Sequence, residues 1–265
     1  MIDFVIIGAA KSGTTAARIN LDRHPKIHVG HELHFFDLRW HQYEDKSEYF
    51  EMLPKGEGLK GEKSPSYISF LPAHERMRGL IPDVKLILFL RDPIDRAFSH
   101  WNHITNSRFA PLVPNTFEET ITQAITGLED IDKHYNVPEG SLFGTPIFQN
   151  VIYRGLYCDQ IEHLLRFYPR QQLHIAITER VKANMKEEYD RIFRFLGLEA
   201  VQVDLGYHRN GRYESEISPK TQSVLRDFYL PHNERLFDLL GEDIPEWNTH
   251  SSITESLNGQ ETENS

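Results

Sequence analysis

The sequence predicts a three-layer α/β domain, a central parallel sheet with helices on both faces and an anion-cradling loop at one strand end. Three observations predict it. Apolar runs suited to fully buried strands, Phe4-Val-Ile-Ile7, Val84–Leu90 and Leu173–Ile177, alternate with helical stretches, the pattern of parallel strands joined by crossover helices. The first run passes directly into Gly8-Ala-Ala-Lys11-Ser12-Gly13-Thr14-Thr15, a glycine loop opening a helix, whose backbone N–H groups can face an anion. The second run ends in Arg91-Asp92-Pro93, a cation followed by a helix-starting proline at the carboxyl end of a central strand.

Taken in order, Thr14–Arg23 reads as a helix that stops ahead of Pro25. Residues 26–37, carrying His31-Glu32-Leu33-His34-Phe35-Phe36-Asp37, read as an irregular segment. Trp40, Tyr43, Tyr49 and Phe50 have the spacing of a packed amphipathic stretch. Gly58–Pro65 reads as a short strand closing in a turn, and a helix follows Pro72. Val84–Leu90 is the strongest strand in the chain, with a helix over 94–107 behind Pro93. Within the loop-rich stretch 108–148 one helix is expected at 117–126. Ile152, Leu156, Ile161, Leu164 and Leu165 recur at helical spacing and predict one helix from Asn150 to Phe167. A strand over Leu173–Ile177, a helix over Glu179–Leu196 closed by Gly197, a polar loop over 199–217 and a helix over Pro219–Leu240 complete the domain. The folded domain is expected to span 1–248, and the polar stretch 249–265 to be a disordered tail.

Composition excludes several classes. The 265 residues carry a formal net charge of −10, which argues against a nucleic-acid partner. The longest apolar runs fall well short of the roughly 18 residues of a membrane span, so no membrane anchor is expected. The single cysteine, Cys158, forms no internal disulfide and fits a reducing, cytoplasmic location. The oligomeric state is left open.

The loop bears on the chemistry. Laid over the P-loop template G-x-x-x-x-G-K-[ST], Gly8, Gly13 and Thr15 fall in place, but Thr14 stands where the lysine belongs and the lysine is Lys11. Kinase-type loops put lysine on terminal phosphates and use Mg²⁺; a lysine inside the loop meets a bound phosphate chain at another point. Two alternatives follow from the residues themselves. Leu86–Asp92 could be a Walker-B strand with Asp92 on Mg²⁺, making an atypical kinase, and His31-Glu32-x-His34 could be read as a metal ligand set, although His31 and His34 lack an obvious third ligand.

Three segments in order, Lys11-Ser-Gly-Thr-Thr15, Leu88-Phe-Leu-Arg91-Asp92-Pro93 through Ser99, and Arg154-Gly-Leu-Tyr157 with Phe167-Tyr-Pro169, resemble sulfotransferases that use 3′-phosphoadenosine 5′-phosphosulfate (PAPS). Glu32-Leu-His34-Phe-Phe-Asp37 and Glu62-Lys63-Ser-Pro65-Ser-Tyr67 are similar to the heparan sulfate glucosaminyl N- and 3-O-sulfotransferases, and the end of the chain, Arg226 to Trp247, looks most like the N-type. The resemblance implies the P-loop-like sulfotransferase fold and transfer of a sulfuryl group from PAPS to a hydroxyl or amine, on a glycan or a small molecule, with no metal. In it Glu32 is the base, Lys11 steadies the leaving phosphate and Lys63 assists. Ser12, Gly13, Thr14 and Thr15 cradle the donor, Arg91 and Ser99 take its 3′-phosphate, and His34 and Asp37 lie beside the acceptor. Gly206–Tyr213 resembles the cofactor-closing loop, with Tyr207 stacking on adenine and Gly211 and Arg212 binding phosphate, but Asn210 replaces the family's lysine there. An aryl or alcohol sulfotransferase using a histidine base and a non-catalytic nucleotide-binding module remain as further readings.

Overall fold

The computed structural model describes residues 1–127, 150–201, 203–206 and 216–247. Five strands, β1 (Phe4–Gly8), β2 (Ile27–Val29), β3 (Leu59–Lys63), β4 (Lys85–Leu90) and β5 (Leu173–Ile177), form one sheet in the order β2-β3-β1-β4-β5. Every pairing is parallel. β1 is central and wholly buried, which is why its sequence is apolar without alternation. Phe4 lies opposite Gly61 of β3, where a Cβ would come within 2.3 Å of the Phe4 ring, so only glycine admits that ring in the sheet.

The two faces of the sheet are legible in which residues cluster. Val5, Ile7, Leu86, Leu88 and Leu90 join one core, and Phe4, Ile6, Ile87 and Phe89 the other. On the first face pack α3 (Pro72–Leu80), α7 (Tyr157–Leu165) and the end of α10 (Pro219–Leu240); on the second pack α1 (Thr14–Asp22) and α9 (Met185–Leu196). A third cluster joins α4 (Pro93–Thr105), α5 (Phe117–Thr126), α6 (Asn150–Tyr153) and the first half of α10. The short α2 (Glu48–Glu51) brings Tyr49 into a nest of aromatic rings with Phe35, Phe36, Trp40 and Tyr43. Among the described residues no helix is long and apolar enough to cross a membrane.

Three elements differ from the sequence expectation. Residues 27–29, expected to be irregular, add to the edge of the sheet as β2, pairing Ile27, His28 and Val29 with Leu59, Lys60 and Gly61; three residues are too few to show a period. The single helix expected over 150–167 is broken into α6 and α7 at Gly155. A Cβ there would lie 2.9 Å from the Tyr229 hydroxyl and 3.1 Å from Pro93 Cβ, so the bare backbone lets three elements meet. The helix expected over 179–196 is two, α8 (Thr178–Ala183) and α9, divided at Asn184. The Asn184 side chain caps α9 by accepting from the Glu187 N–H, and its amide also donates to the Glu187 carboxylate at 2.8 Å, a side-chain cap written in the sequence as Asn-x-x-Glu.

Candidate active site

The chain crosses from β3, on one side of β1, to β4 on the other, so the carboxyl ends of these three strands border the switch point of the sheet, where open α/β folds bind ligands. The loop from β1 to α1 lies there. Gly13 (φ 84) and Lys11 (φ 74) take left-handed backbone conformations, and the Thr178 hydroxyl ties the loop down by donating to the Ser12 carbonyl at 2.9 Å. α1 then begins at Thr14 with no capping side chain and no acidic residue in its first turn. Its leading N–H groups and positive dipole end are thereby left for an anion.

Opposite the loop stands the turn from Glu32 to Asp37. One Glu32 carboxylate oxygen pairs with the Lys63 ammonium, and the other is 3.0 Å from His34 Nε2. His34 Nδ1 is 3.1 Å from Asp37, which also accepts from the Ser66 hydroxyl. Lys63, at the end of β3 and buried, donates as well to the Thr15 hydroxyl at 3.2 Å. One ammonium therefore joins the anion loop to the carboxylate.

The charges of this chain reinforce one another. The bond from His34 is the strongest influence on Glu32 and, with Lys63, overrides partial burial to hold its carboxyl down at about 2. Burial alone would discharge His34, but its bonds to Asp37 and Glu32 outweigh that and lift it to about 9. Burial likewise opposes the ionised Asp37, yet His34 and Ser66 keep its carboxyl below the ordinary range. At neutral pH the line is carboxylate, imidazolium, carboxylate. The Lys11 ammonium is depressed first by burial and then by the neighbouring Arg91 and Arg96.

Arg91, just beyond β4, donates to the Lys11 carbonyl at 3.3 Å and to Asp95 at 2.9 Å. It thus reaches the loop and also makes the ordinary ion pair. Asp92 accepts from the N–H groups of Ile94 and Asp95 and so caps α4; that employment disfavours it as a Walker-B metal ligand. The Asp92 N–H in turn donates to Glu179 at 3.3 Å, whose other oxygen accepts from the Trp247 indole at 3.0 Å. Ser99 is buried two turns into α4, the helix whose His100 and His103 lie in the field of Lys11. Among the described residues no three His, Cys, Asp or Glu side chains converge to hold a metal ion.

Lys11, Arg91, Thr15, Lys63, Glu32, His34 and Asp37 are thus linked in one network of bonds and fields. Tyr207, Gly211 and Arg212 lie outside the described residues. Sequence reasoning assigned no role to Ser66, although it stands in the Glu62–Tyr67 motif, nor to Thr178; both brace the site through their hydroxyls. It also missed Arg96, a guanidinium with 0% exposure inside α4, and His103, exposed on the last turn of that helix and sensitive to both Lys11 and Glu32.

The family profile described as "Sulfotransferase domain" matches residues 1–237. The chain belongs to the sulfotransferase-domain family. Among its relatives, the heparan sulfate glucosamine 3-O-sulfotransferase 3B1 of Mus musculus is 29% identical over 269 residues, covering 91% of this chain and 63% of the relative. The Homo sapiens protein of that name is 30% identical over 272 residues with the same two coverages. The chain therefore spans about 63% of the length of these relatives. A crystal structure of a sulfotransferase from Alicyclobacillus acidocaldarius superposes with a TM-score of 0.74 at 25% identity, over 94% of this chain and 99% of that one. The parallel sheet, the P-loop-like turn and the network around Lys63 described above are thus features of a sulfotransferase domain.

Proposed function

We propose that this chain transfers a sulfuryl group from PAPS to a hydroxyl or amine of a carbohydrate acceptor, a glucosamine-containing glycan by analogy with its relatives. The observation that carries the reading is the Lys63 ammonium bonded at once to Thr15 of the anion loop and to Glu32 of the opposite turn. A donor held by the loop and an acceptor proton taken by the turn would meet at that point.

The residues suit the group. The uncapped start of α1, with Lys11, Arg91 and Arg96 close enough to act on one another, suits an anion with more than one charge. PAPS would be held by Ser12, Gly13, Thr14 and Thr15 around its 5′-phosphosulfate and by Arg91 and Ser99 around its 3′-phosphate, and when bound it supplies the activated sulfuryl group. Lys11 supplies positive charge where the bridging oxygen gains negative charge. Glu32 takes the acceptor proton. Its low pKa keeps it ionised throughout the neutral range, and its basicity rises once the Lys63 ammonium turns from it toward the sulfuryl oxygens. His34 and Asp37 hold the carboxylate in line.

The test is labelled sulfate transfer from PAPS to glucosaminyl oligosaccharides, with thermal shifts measured for 3′-phosphoadenosine 5′-phosphate and for Mg²⁺–ATP. The adenosine bisphosphate stabilises the protein, and Glu32→Gln retains that shift while losing transfer by several orders of magnitude. Stabilisation by Mg²⁺–ATP alone, or undiminished transfer in Glu32→Gln, overturns the reading.

A further inference from the structure

The turn bearing Glu32, His34 and Asp37 is held from beneath by a buried carboxyl. His34 has φ 50, a left-handed conformation that a side-chain-bearing residue keeps only where its surroundings impose it. The surroundings are two hydroxyls. The His34 N–H donates to Ser64 Oγ at 3.0 Å, and the N–H groups of Phe35 and Phe36 donate to the Tyr67 hydroxyl oxygen at 2.9 and 3.4 Å. Ser64 Oγ donates its own hydrogen to Glu62 Oε2 at 2.8 Å, and Tyr49 donates to Oε1 at 3.4 Å. The Tyr67 hydroxyl and the Leu33 N–H also favour the charged form of this carboxyl. Glu62, Ser64, Tyr49 and Tyr67 all have 0% exposure.

The direction of these bonds matters. A hydroxyl has one hydrogen. Once Ser64 gives its hydrogen to Glu62, only lone pairs remain to face the turn, and one of these is what the backbone N–H of His34 needs. We propose that Glu62 is a positioning residue for the transfer reaction: by drawing the Ser64 hydroxyl hydrogen to itself it locks the turn that aims Glu32. The last two residues of β3 thus serve the site from two directions, Lys63 meeting Glu32 directly and Glu62 acting through the Ser64 hydroxyl. Burial lifts the Glu62 carboxyl to about 7, with the Ser64 hydroxyl among the groups that favour its charged form.

The inference rests on the sulfuryl-transfer reading for its consequence, but the turn can be tested without any reaction. The readout is the His34 imidazole, titrated by NMR in the free protein, because its high pKa depends on being clamped between Glu32 and Asp37. Glu62→Gln and Ser64→Ala are expected to lower the His34 pKa by about one unit or more as the clamp loosens, and Ser64→Thr, which keeps the hydroxyl, to leave it near the wild-type value. An unchanged His34 titration in Ser64→Ala overturns the proposal, as does a Ser64→Thr shift as large as that of Ser64→Ala. If Glu62→Gln fails to fold, the two Ser64 variants decide. In transfer assays Ser64→Ala lowers kcat about 10- to 100-fold at unchanged KM for PAPS; an equal loss of donor affinity also overturns it. A wild-type protein that transfers no sulfate refutes the functional reading, and the His34 titration still decides this one.

Discussion

Replacing His34 with Gln should remove a defined, pH-dependent part of the stability. The imidazolium is the favoured form in the fold, raised from 6.5 to about 9 by Asp37 and Glu32 against the cost of burial. A group whose pKa is raised on folding stabilises fully below its unfolded value and loses that contribution as pH rises through the folded value. The window is therefore about pH 6.5 to 9. The shift is about 2.5 units, which at about 1.4 kcal/mol per unit sets a ceiling of about 3.5 kcal/mol. The side chain is 26% exposed and the gain is shared among three coupled groups, so the working figure is about 1–2 kcal/mol. Urea unfolding of the wild type and His34→Gln from about pH 6 to about pH 10 measures it. The stability difference between the two should be largest at the acidic end and shrink by that amount across the window. Glu62 also titrates near neutrality, but it is present in both proteins and cancels in the difference. Glu32 and Asp37 have lowered values and act on the acid side, outside the window. A difference that stays flat would refute the picture of a charged imidazole held between two carboxylates.

Lys11→Ala should lower single-turnover sulfate transfer about 10²- to 10³-fold without unfolding the protein; a loss below about tenfold would remove Lys11 from the charge-stabilising role. Lys63→Met deprives Glu32 of its ammonium partner, so its pKa should climb from about 2, moving the acidic limb of the pH–rate profile up by about one unit; an unmoved limb would mean that His34 alone holds the carboxylate ionised. Gly61→Ala would bring a Cβ to 2.3 Å from the fully buried Phe4 ring, and the melting temperature should fall by the equivalent of about 1–3 kcal/mol or more; an unchanged melting temperature would show that the ring can move aside.

Much of the fold was legible in local pattern. β1, β4 and β5 are buried parallel strands whose apolar runs leave little else for them to be, and the helices behind Pro72, Pro93 and Pro219 begin where proline favours a first turn. What was missed depends on contacts far apart in sequence. β2 exists because Leu59–Gly61 offers it an edge, and the break at Gly155 because Tyr229 and Pro93 come against the backbone there. The Asn184 cap could have been read, but the apolar period on either side of it masks the stop. In the site, the residues with motifs were placed before the structure: Lys11, Glu32, Lys63, Arg91, His34 and Asp37. The hydroxyls that orient them were not, since Ser64, Ser66 and Thr178 gain their roles only when the sheet brings its strand ends together. The charge state of His34 was also hidden, because it follows from having a carboxylate on each side rather than from any spacing.

Glu179 accepts both from the Trp247 indole and from the Asp92 N–H at the start of α4, and so joins the late chain to the early chain. The Lys11 loop, by contrast, is anchored by Thr178 alone among the hydroxyls noted above. Because synthesis runs from β1 toward α10, the strands β1 to β4 emerge before either clasp exists. The Thr178 bond to the anion loop forms only after β5 has been made, and the clasp on α4 only after the indole has followed. The loop end of the sheet is in this sense assembled backwards, its first-made parts waiting on contacts from residues made later.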